Sequence, residues 1–194
     1  SDDTQATLTL QTGDTDIAVN DVIGQLHFQA PDEGAGTDAI LVAAGIAAIS
    51  EGDFSASNNA TSLVFKTGAS EAAAEKMRID SSGNVGIKNT TMASFSNLPA
   101  TDLVVGAGST ASGITIYSST SDGSNIAFAD ATSGDGRNQG IIQYHHDGDY
   151  MRFFTSAAEK MRIHSNGVTA FNNGIALGVG TANTASNVLD DYEE

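Results

Sequence analysis

The chain contains no cysteine, no tryptophan and only two prolines among its 194 residues. Without cysteine it can form no disulfide, no thiolate zinc site and no thiol nucleophile. Basic residues are also scarce, because eight Lys and Arg stand against 24 Asp and Glu, which gives a formal net charge of −16. This balance argues against nucleic acid and anionic membranes as partners, since both require a basic protein surface.

Long apolar runs are missing as well. The longest, residues 39–49, is mostly alanine and glycine and falls short of the ~18 apolar residues that a membrane span needs. Leu, Ile, Val and Phe together number 41, near the ~20% level below which a strongly charged chain is expected to be disordered. These residues nevertheless fall in short alternating runs, which are typical of half-buried strands. We therefore expect a folded chain with a small core and a tendency to oligomerise.

An internal repeat is the most informative feature that the sequence does have. Residues 75–87, EKMRIDSSGNVGI, return 84 positions later at residues 159–171 as EKMRIHSNGVTAF. Such a duplicated strand–turn–strand unit indicates a repetitive scaffold rather than an enzyme. Upstream segments match in the same order, pairing 6–10 with 113–117, 17–21 with 126–130, 24–28 with 140–144 and 63–67 with 151–155. In this alignment residues 39–49 have no counterpart and are interpreted as an insertion in the first copy.

Turn residues divide the chain into many short segments, and this predicts an all-β fold. We predict a first β repeat module at residues 1–91, a connector at 92–112, a second β repeat module at 113–179 and a polar acidic tail at 180–194. The predicted strands are 6–11, 16–20, 24–29, 39–43, 45–50, 61–67, 75–80, 84–88, 102–105, 113–118, 125–129, 140–146, 150–155, 159–164, 167–171 and 175–179.

The EKMRI segments are predicted to be strands with two different faces. Simple alternation places Glu75, Met77 and Ile79 on one face and Lys76, Arg78 and Asp80 on the other, and the second copy repeats this arrangement. Apolar side chains on a small sheet need a cover that one chain does not supply. We therefore predict four residues near subunit interfaces or an axial core: Met77, Ile79, Met161 and Ile163.

The string at residues 75–87 resembles the ERMRIDSSGNVGIG signature of phage tail-fibre and related virion appendage proteins, which is especially common in phages of marine bacteria and cyanobacteria. Upstream, Gly24–Phe28 and Leu63–Phe65 resemble strands of that family, and Asn187–Glu194 resembles its LDDYEEGTWTP junction with a C-terminal domain. The resemblance covers most of the chain. Lys76 and Lys160 depart from it, since the family usually has Arg at these positions.

The resemblance implies an elongated fibre of repeated short-strand modules that form an intertwined homotrimer. It also implies a structural virion fibre protein, a phage tail fibre or shaft, which supports host attachment without catalysis and without a cofactor. The expected partners are further copies of the chain, other virion proteins and host surface glycan. The expected location is the virion. A head fibre or decoration protein of the capsid surface is the alternative within viruses.

The linear order selects no catalytic, cofactor-binding or metal-binding residue. One turn is a candidate for surface contacts, because it carries His145, His146, Asp147 and Asp149 around Gly148. Adjacent histidines on a strand face opposite sides, so a metal site here would need one histidine from each of three subunits. A glycan-depolymerising tailspike is the alternative from a different class, and it requires two carboxylates about 5–10 Å apart in a cleft.

Overall fold

The computed structural model describes residues 5–31, 36–95, 102–176 and 188–189. Within this part of the chain all regular structure is β, apart from three short 3-10 helices at Asp38–Ile40, Met92–Phe95 and Gly134–Asn138. The chain divides into two compact units, Ser1–Ile114 and Thr115–Glu194. The predicted all-β class is confirmed.

The first unit contains one six-stranded sheet whose strands follow one another in sequence order. Neighbouring strands are antiparallel, except that β5 and β6 are parallel. Connections of 5 to 12 residues join the antiparallel neighbours, whereas 15 residues separate β5 from the parallel strand β6, as expected because a parallel pair needs a longer crossover connection. The strands are β1 (Val22–Gln29), β2 (Val42–Ser50), β3 (Thr61–Thr67), β4 (Ala74–Ile79), β5 (Val85–Ile87) and β6 (Leu103–Val105).

The second unit contains a five-stranded antiparallel sheet, again in sequence order, and a separate two-stranded ribbon. The sheet consists of β7 (Gly123–Phe128), β8 (Gly140–His145), β9 (Tyr150–Thr155), β10 (Ala158–Ile163) and β11 (Thr169–Phe171). The ribbon pairs β12 (Ile175–Ala176) with β13 (Val188–Leu189).

The repeated motif forms the same hairpin twice. Met77 pairs with Ile87 in the first unit, and Met161 pairs with Phe171 in the second, so the register is preserved at the offset of 84. The preceding strands β3 and β9 also match as the sequence predicts, because Phe65 lies opposite Met77 and Phe153 lies opposite Met161. Gly83 and Gly167 close the two hairpins with φ angles of 88° and 86°, a region that favours glycine.

Two pairings of the upstream alignment are wrong, namely 17–21 with 126–130 and 24–28 with 140–144. Strand order makes β1 the counterpart of β7 and β2 the counterpart of β8. Gln25–Phe28 therefore corresponds to Asn125–Phe128, since Leu26 and Ile126 hold the same place in the two registers. Residues 39–49 are not an insertion, because most of them form β2, which the second unit matches with β8.

Several predicted strands are also wrong. Segments 6–11, 16–20 and 113–118 form no strand, and β2 runs without a break across the predicted gap at residue 44. The first segment still lies against the sheet, because a Cβ on Gly24 would be 2.9 Å from the Cβ of Leu10. These segments lack the ladder of backbone hydrogen bonds that defines a strand. Of the predicted strand 175–179, the last three residues lie outside the described ranges.

The hydrophobic core is very small. Among the described residues, the buried apolar side chains are Ala47, Val64 and Met92, and Ser50 and Ser62 are buried beside them. All five belong to the first unit. In the second unit, no residue within 115–175 is buried. The second sheet is thus a single layer in which both faces remain at least partly open to solvent.

Candidate interaction surface

A continuous row of apolar side chains crosses the first sheet. Leu26, Ile46, Phe65, Met77 and Ile87 lie opposite one another on successive strands β1 to β5. Directly opposed residues on neighbouring strands point to the same face of a sheet. We call this row the first apolar ladder. Val105 on β6 extends it by one further rung.

The second sheet carries the same row. Ile126, Ile142, Phe153, Met161 and Phe171 lie opposite one another on strands β7 to β11. Every rung of this second apolar ladder is apolar, as in the first, and the isoleucine on the second rung, the phenylalanine on the third and the methionine on the fourth are identical in the two ladders. Two sheets of the same topology therefore present the same kind of face.

The first and fifth rungs of both ladders are exposed, and the three middle rungs of each are half-buried. Leu26 and Ile87 are 47% and 38% exposed, and Ile126 and Phe171 are 51% and 43% exposed. Rows on either side add further exposed apolar side chains to these faces: Phe28, Leu63 and Leu103 on the first sheet, and Phe128 and Tyr144 on the second. Single exposed apolar residues are normal on a protein surface, but contiguous apolar faces mark interaction sites.

The first ladder is only partly covered by its own chain. Residues 5–12 run beside β1 and leave an apolar groove of about 340 Å³ between themselves and the sheet. Leu8 stays 83% exposed and Leu10 stays 48% exposed, so this segment adds apolar surface instead of removing it. The groove is lined by Leu8, Leu10, Gly24, Gln25, Leu26, Ile46, Ala47, Ala48 and Leu63.

The four interface candidates named from sequence lie on these two faces. Met77 and Met161 are the fourth rungs of the ladders, and Ile79 and Ile163 occupy the adjacent row of the same faces. All four are half-buried in the single chain. Sequence reasoning missed the rungs on the first two strands of each sheet, including Ile46 and Ile142. The shared pattern of Gln25–Phe28 and Asn125–Phe128 is the signal that would have found them.

Glutamate and arginine pair on the opposite face, contrary to the predicted alternation. A β-bulge at Lys76 shifts the register, so Glu75 turns to the side of Arg78, and Arg78 Nε donates to Glu75 Oε1 at 2.6 Å. The hydrogen bond with Glu75 raises the pKa of Arg78, although burial lowers it. A bulge puts two successive residues opposite one residue of the partner strand, which breaks the period of two.

The second sheet repeats this bulge at Lys160 and brings in a second arginine. Arg162 Nε and Nη2 each donate to Glu159 at 2.8 Å, and Arg152 lies 3.5 Å from the same carboxylate. The hydrogen bond from Arg162 lowers the pKa of Glu159 below its ordinary value and outweighs burial, which raises it. Arg162 also lies over the ring of Tyr150 at 4.4 Å.

The faces opposite the ladders differ between the two units. Ala47 and Val64 are buried in the first sheet, whereas Gln143 and Arg152 occupy the equivalent register positions in the second. Arg152 Nε donates to Gln143 Oε1 at 2.7 Å, and Gln143 Nε2 donates to Asn125 Oδ1 at 2.5 Å. The face opposite the ladder is apolar in the first sheet and polar in the second, whereas the ladder face is apolar in both.

The histidine turn predicted for surface contacts connects β8 to β9. His145 stacks on Tyr150 at 5.1 Å, and His146 meets Tyr144 edge-on at 5.0 Å, so the two imidazoles have different neighbours. Tyr144 donates to Asp149 Oδ1 at 3.0 Å, and this hydrogen bond raises the pKa of Tyr144. Within the described ranges, no group of three or more His, Cys, Asp or Glu residues could hold a metal ion.

Carboxylates line one cleft. Asp38 and Glu71 border a cavity of about 240 Å³ at the start of β2, and both are exposed.

Elsewhere, Glu51 accepts hydrogen bonds from Ser62 and Ser81. Burial raises the pKa of Glu51, but these hydrogen bonds outweigh it and leave the pKa below its ordinary value. Glu51 is therefore held ionised and is unsuited to the role of a general acid.

No family model and no curated protein matches this chain. Among solved structures, it is similar to the carboxy-terminal domain of the bacteriophage T5 L-shaped tail fibre, with a TM-score of 0.39 and 14% identity over 100% of this chain and 95% of that chain. The same domain with its intra-molecular chaperone domain gives a TM-score of 0.38 and 14% identity over 100% and 67%. Neither similarity is high enough to show a shared fold. No helix in the described residues is long and apolar enough to cross a membrane.

Proposed function

We propose that this chain is a structural virion fibre protein, a phage tail fibre or shaft, which assembles as an elongated homotrimer and has no catalytic activity of its own. The observation that carries this proposal is the pair of apolar ladders, whose outer rungs are exposed. They give both sheets the same uncovered apolar face, and the second unit has no buried residue within 115–175. The motif EKMRIDSSGNVGI, with its resemblance to virion appendage proteins, supports the assignment to a fibre.

A further copy of the same chain is the partner that suits these faces. A net charge of −16 makes close contact between copies unfavourable wherever acidic side chains would meet. The rungs of both ladders are uncharged, so the ladder faces let copies meet without that penalty. Three copies would turn their ladders toward a common axis and build between them the core that each chain lacks. Met77, Ile79, Met161 and Ile163 would then lie inside the trimer.

This arrangement also accounts for the remaining partners. With the apolar faces turned inward, polar turns such as 145–149 would face outward. There they would contact host surface glycan weakly and in several copies at once, with a gain in avidity of ~10²–10⁴-fold. Other virion proteins would hold the ends of the fibre. A head fibre or decoration protein of the capsid surface would use the same assembly at another place on the virion.

Sedimentation equilibrium of the purified chain at micromolar concentration tests the assembly. We expect a species of three chains for the parent and a shift to monomer for the double variant Phe65→Asp with Phe153→Asp, because the third rung of each ladder would carry a charge. Tyr117→Asp is the matched control, since Tyr117 is 96% exposed and lies outside both ladders. A folded parent that sediments as a monomer of 19.8 kDa would reject the proposal. For a parent that is a trimer, immunogold labelling of intact particles would locate the protein on a fibre or on the capsid surface.

A further inference from the structure

The outer edge of β11 differs from the outer edge of its counterpart β5. In the first unit β5 lies between β4 and β6, whereas in the second unit β11 has β10 on one side and no strand of the described residues on the other. Thr169, Ala170 and Phe171 are all exposed. β5 pairs with β4 in the same register in which β11 pairs with β10. The two strands therefore differ at their outer edge.

The edge of β5 shows which backbone groups of β11 a further strand would engage. Val85 N–H donates to the carbonyl of Asp102 at 2.8 Å, and the carbonyl of Ile87 accepts from Gly106 N–H at 2.9 Å. The equivalent groups of β11 are the N–H of Thr169 and the carbonyl of Phe171. An open edge of this kind is a template for the addition of another strand.

The repeat identifies a strand that fits this edge. β6 runs parallel to β5 and places Val104 opposite Gly86 and Val105 opposite Ile87. A shift by the same 84 positions leads from Val104–Val105 to Val188–Leu189, which is strand β13 of the ribbon. β13 pairs with β12 along one edge. Its other edge pairs with no strand of the described residues.

We propose that β13 of the same chain adds in parallel to the open edge of β11, with Val188 opposite Ala170 and Leu189 opposite Phe171. The five-stranded sheet and the ribbon then become one mixed sheet, in which β13 lies between β11 and β12. Its first six strands repeat the six-stranded order of the first unit. This inference does not depend on the proposed function.

The length of the connection favours the same chain over a second copy as the donor of the strand. Ile87 and Val104 are 17 positions apart, and so are Phe171 and Val188. In the first unit a connection of this length does bring β6 alongside β5. A strand tethered by a short connection has an effective concentration in the millimolar range, far above that of a second copy at micromolar concentration.

Disulfide trapping in this cysteine-free chain tests the proposal. The double variant Ala170→Cys with Val188→Cys joins the proposed pair, which should have a Cα separation suited to a disulfide. Val85→Cys with Leu103→Cys is the positive control, because these residues pair in the first unit. Ala170→Cys with Tyr117→Cys is the negative control. We expect the proposed pair to oxidise within one chain as completely as the positive control under native conditions, and to lose this preference in urea.

A second cysteine pair tests whether the result depends on one variant, and a mixing experiment tests whether the strand comes from a second copy. Phe171→Cys with Leu189→Cys is expected to cross-link in the same way and replaces the first pair if that variant does not fold. Oxidation at the level of the negative control for both pairs would overturn the proposal. A mixture of the single variants Ala170→Cys and Val188→Cys should give little linked dimer. Efficient linkage in that mixture would also overturn the proposal, because it would show that the strand comes from a second copy.

Discussion

Met161 occupies the same position in the second sheet that Met77 occupies in the first. Each methionine lies between a phenylalanine on the preceding strand, Phe65 or Phe153, and an apolar residue on the following strand. The surroundings differ on the other face of the sheet, where Val64 is replaced by Arg152. The ladder face is therefore apolar in both units, whereas the opposite face is apolar in one unit and polar in the other.

The first prediction concerns these two methionines. In the proposed trimer, Met77→Ala and Met161→Ala should each lower the free energy of unfolding by about 2–5 kcal/mol, the usual cost of truncating a fully buried side chain. In an isolated chain both side chains are half-buried, and the cost should be well below that range. Urea unfolding at two protein concentrations measures the difference. Tyr117→Ala serves as the control, and equal, small losses for all three variants would contradict the interface role.

The second prediction concerns Gly86, which has Ala170 as its counterpart in the repeat. A Cβ at position 86 would lie 2.7 Å from Met92 Sδ and closer still to the carbonyl oxygen of Asn89. Gly86→Ala should therefore destabilise the first unit by about 1–3 kcal/mol through overpacking. The reciprocal variant Ala170→Gly should cost at most about 1 kcal/mol, since that residue is exposed. Thermal unfolding of the two variants makes the comparison, and a Gly86→Ala protein as stable as the parent would show that Met92 can move aside.

The third prediction concerns the pH dependence of the Glu159 cluster. Because its folded-state pKa is lowered, Glu159 contributes stability above its unfolded pKa of about 4.3, and this contribution is lost as the pH falls through the folded value. Glu159→Gln should cost about 1 kcal/mol at pH 7 and less at pH 3. Denaturant titrations at the two pH values measure this, with Asp135→Asn as the control for loss of a surface charge. A cost that is the same at both pH values would argue against the ion pairs as its source.

The sequence predicted those parts of the fold in which the two copies are nearly identical. The EKMRI hairpins and strands β3 and β9 follow from the repeat because their residues match position by position. Strands β1 and β2 were misaligned because Gly24 and Gly140 begin similar segments, although they belong to different strands. The pairing of Glu75 with Arg78 could not be predicted, since the bulge at Lys76 breaks the alternation. The exposure of the ladders depends on whether a second layer covers the sheet, and alternation along single strands does not specify that.

The last prediction separates the fibre from a glycan-depolymerising tailspike. Asp38 and Glu71 line the same cleft, and this makes them a candidate carboxylate pair for a glycosidase. For a structural fibre, incubation with host envelope polysaccharide should release no new reducing ends, and Asp38→Asn and Glu71→Gln should leave binding to that polysaccharide unchanged. Asp147→Asn is the matched control from the exposed histidine turn. Release of reducing ends by the parent that is abolished by Asp38→Asn or Glu71→Gln, but not by Asp147→Asn, would reject the structural role and establish this cleft as an active site.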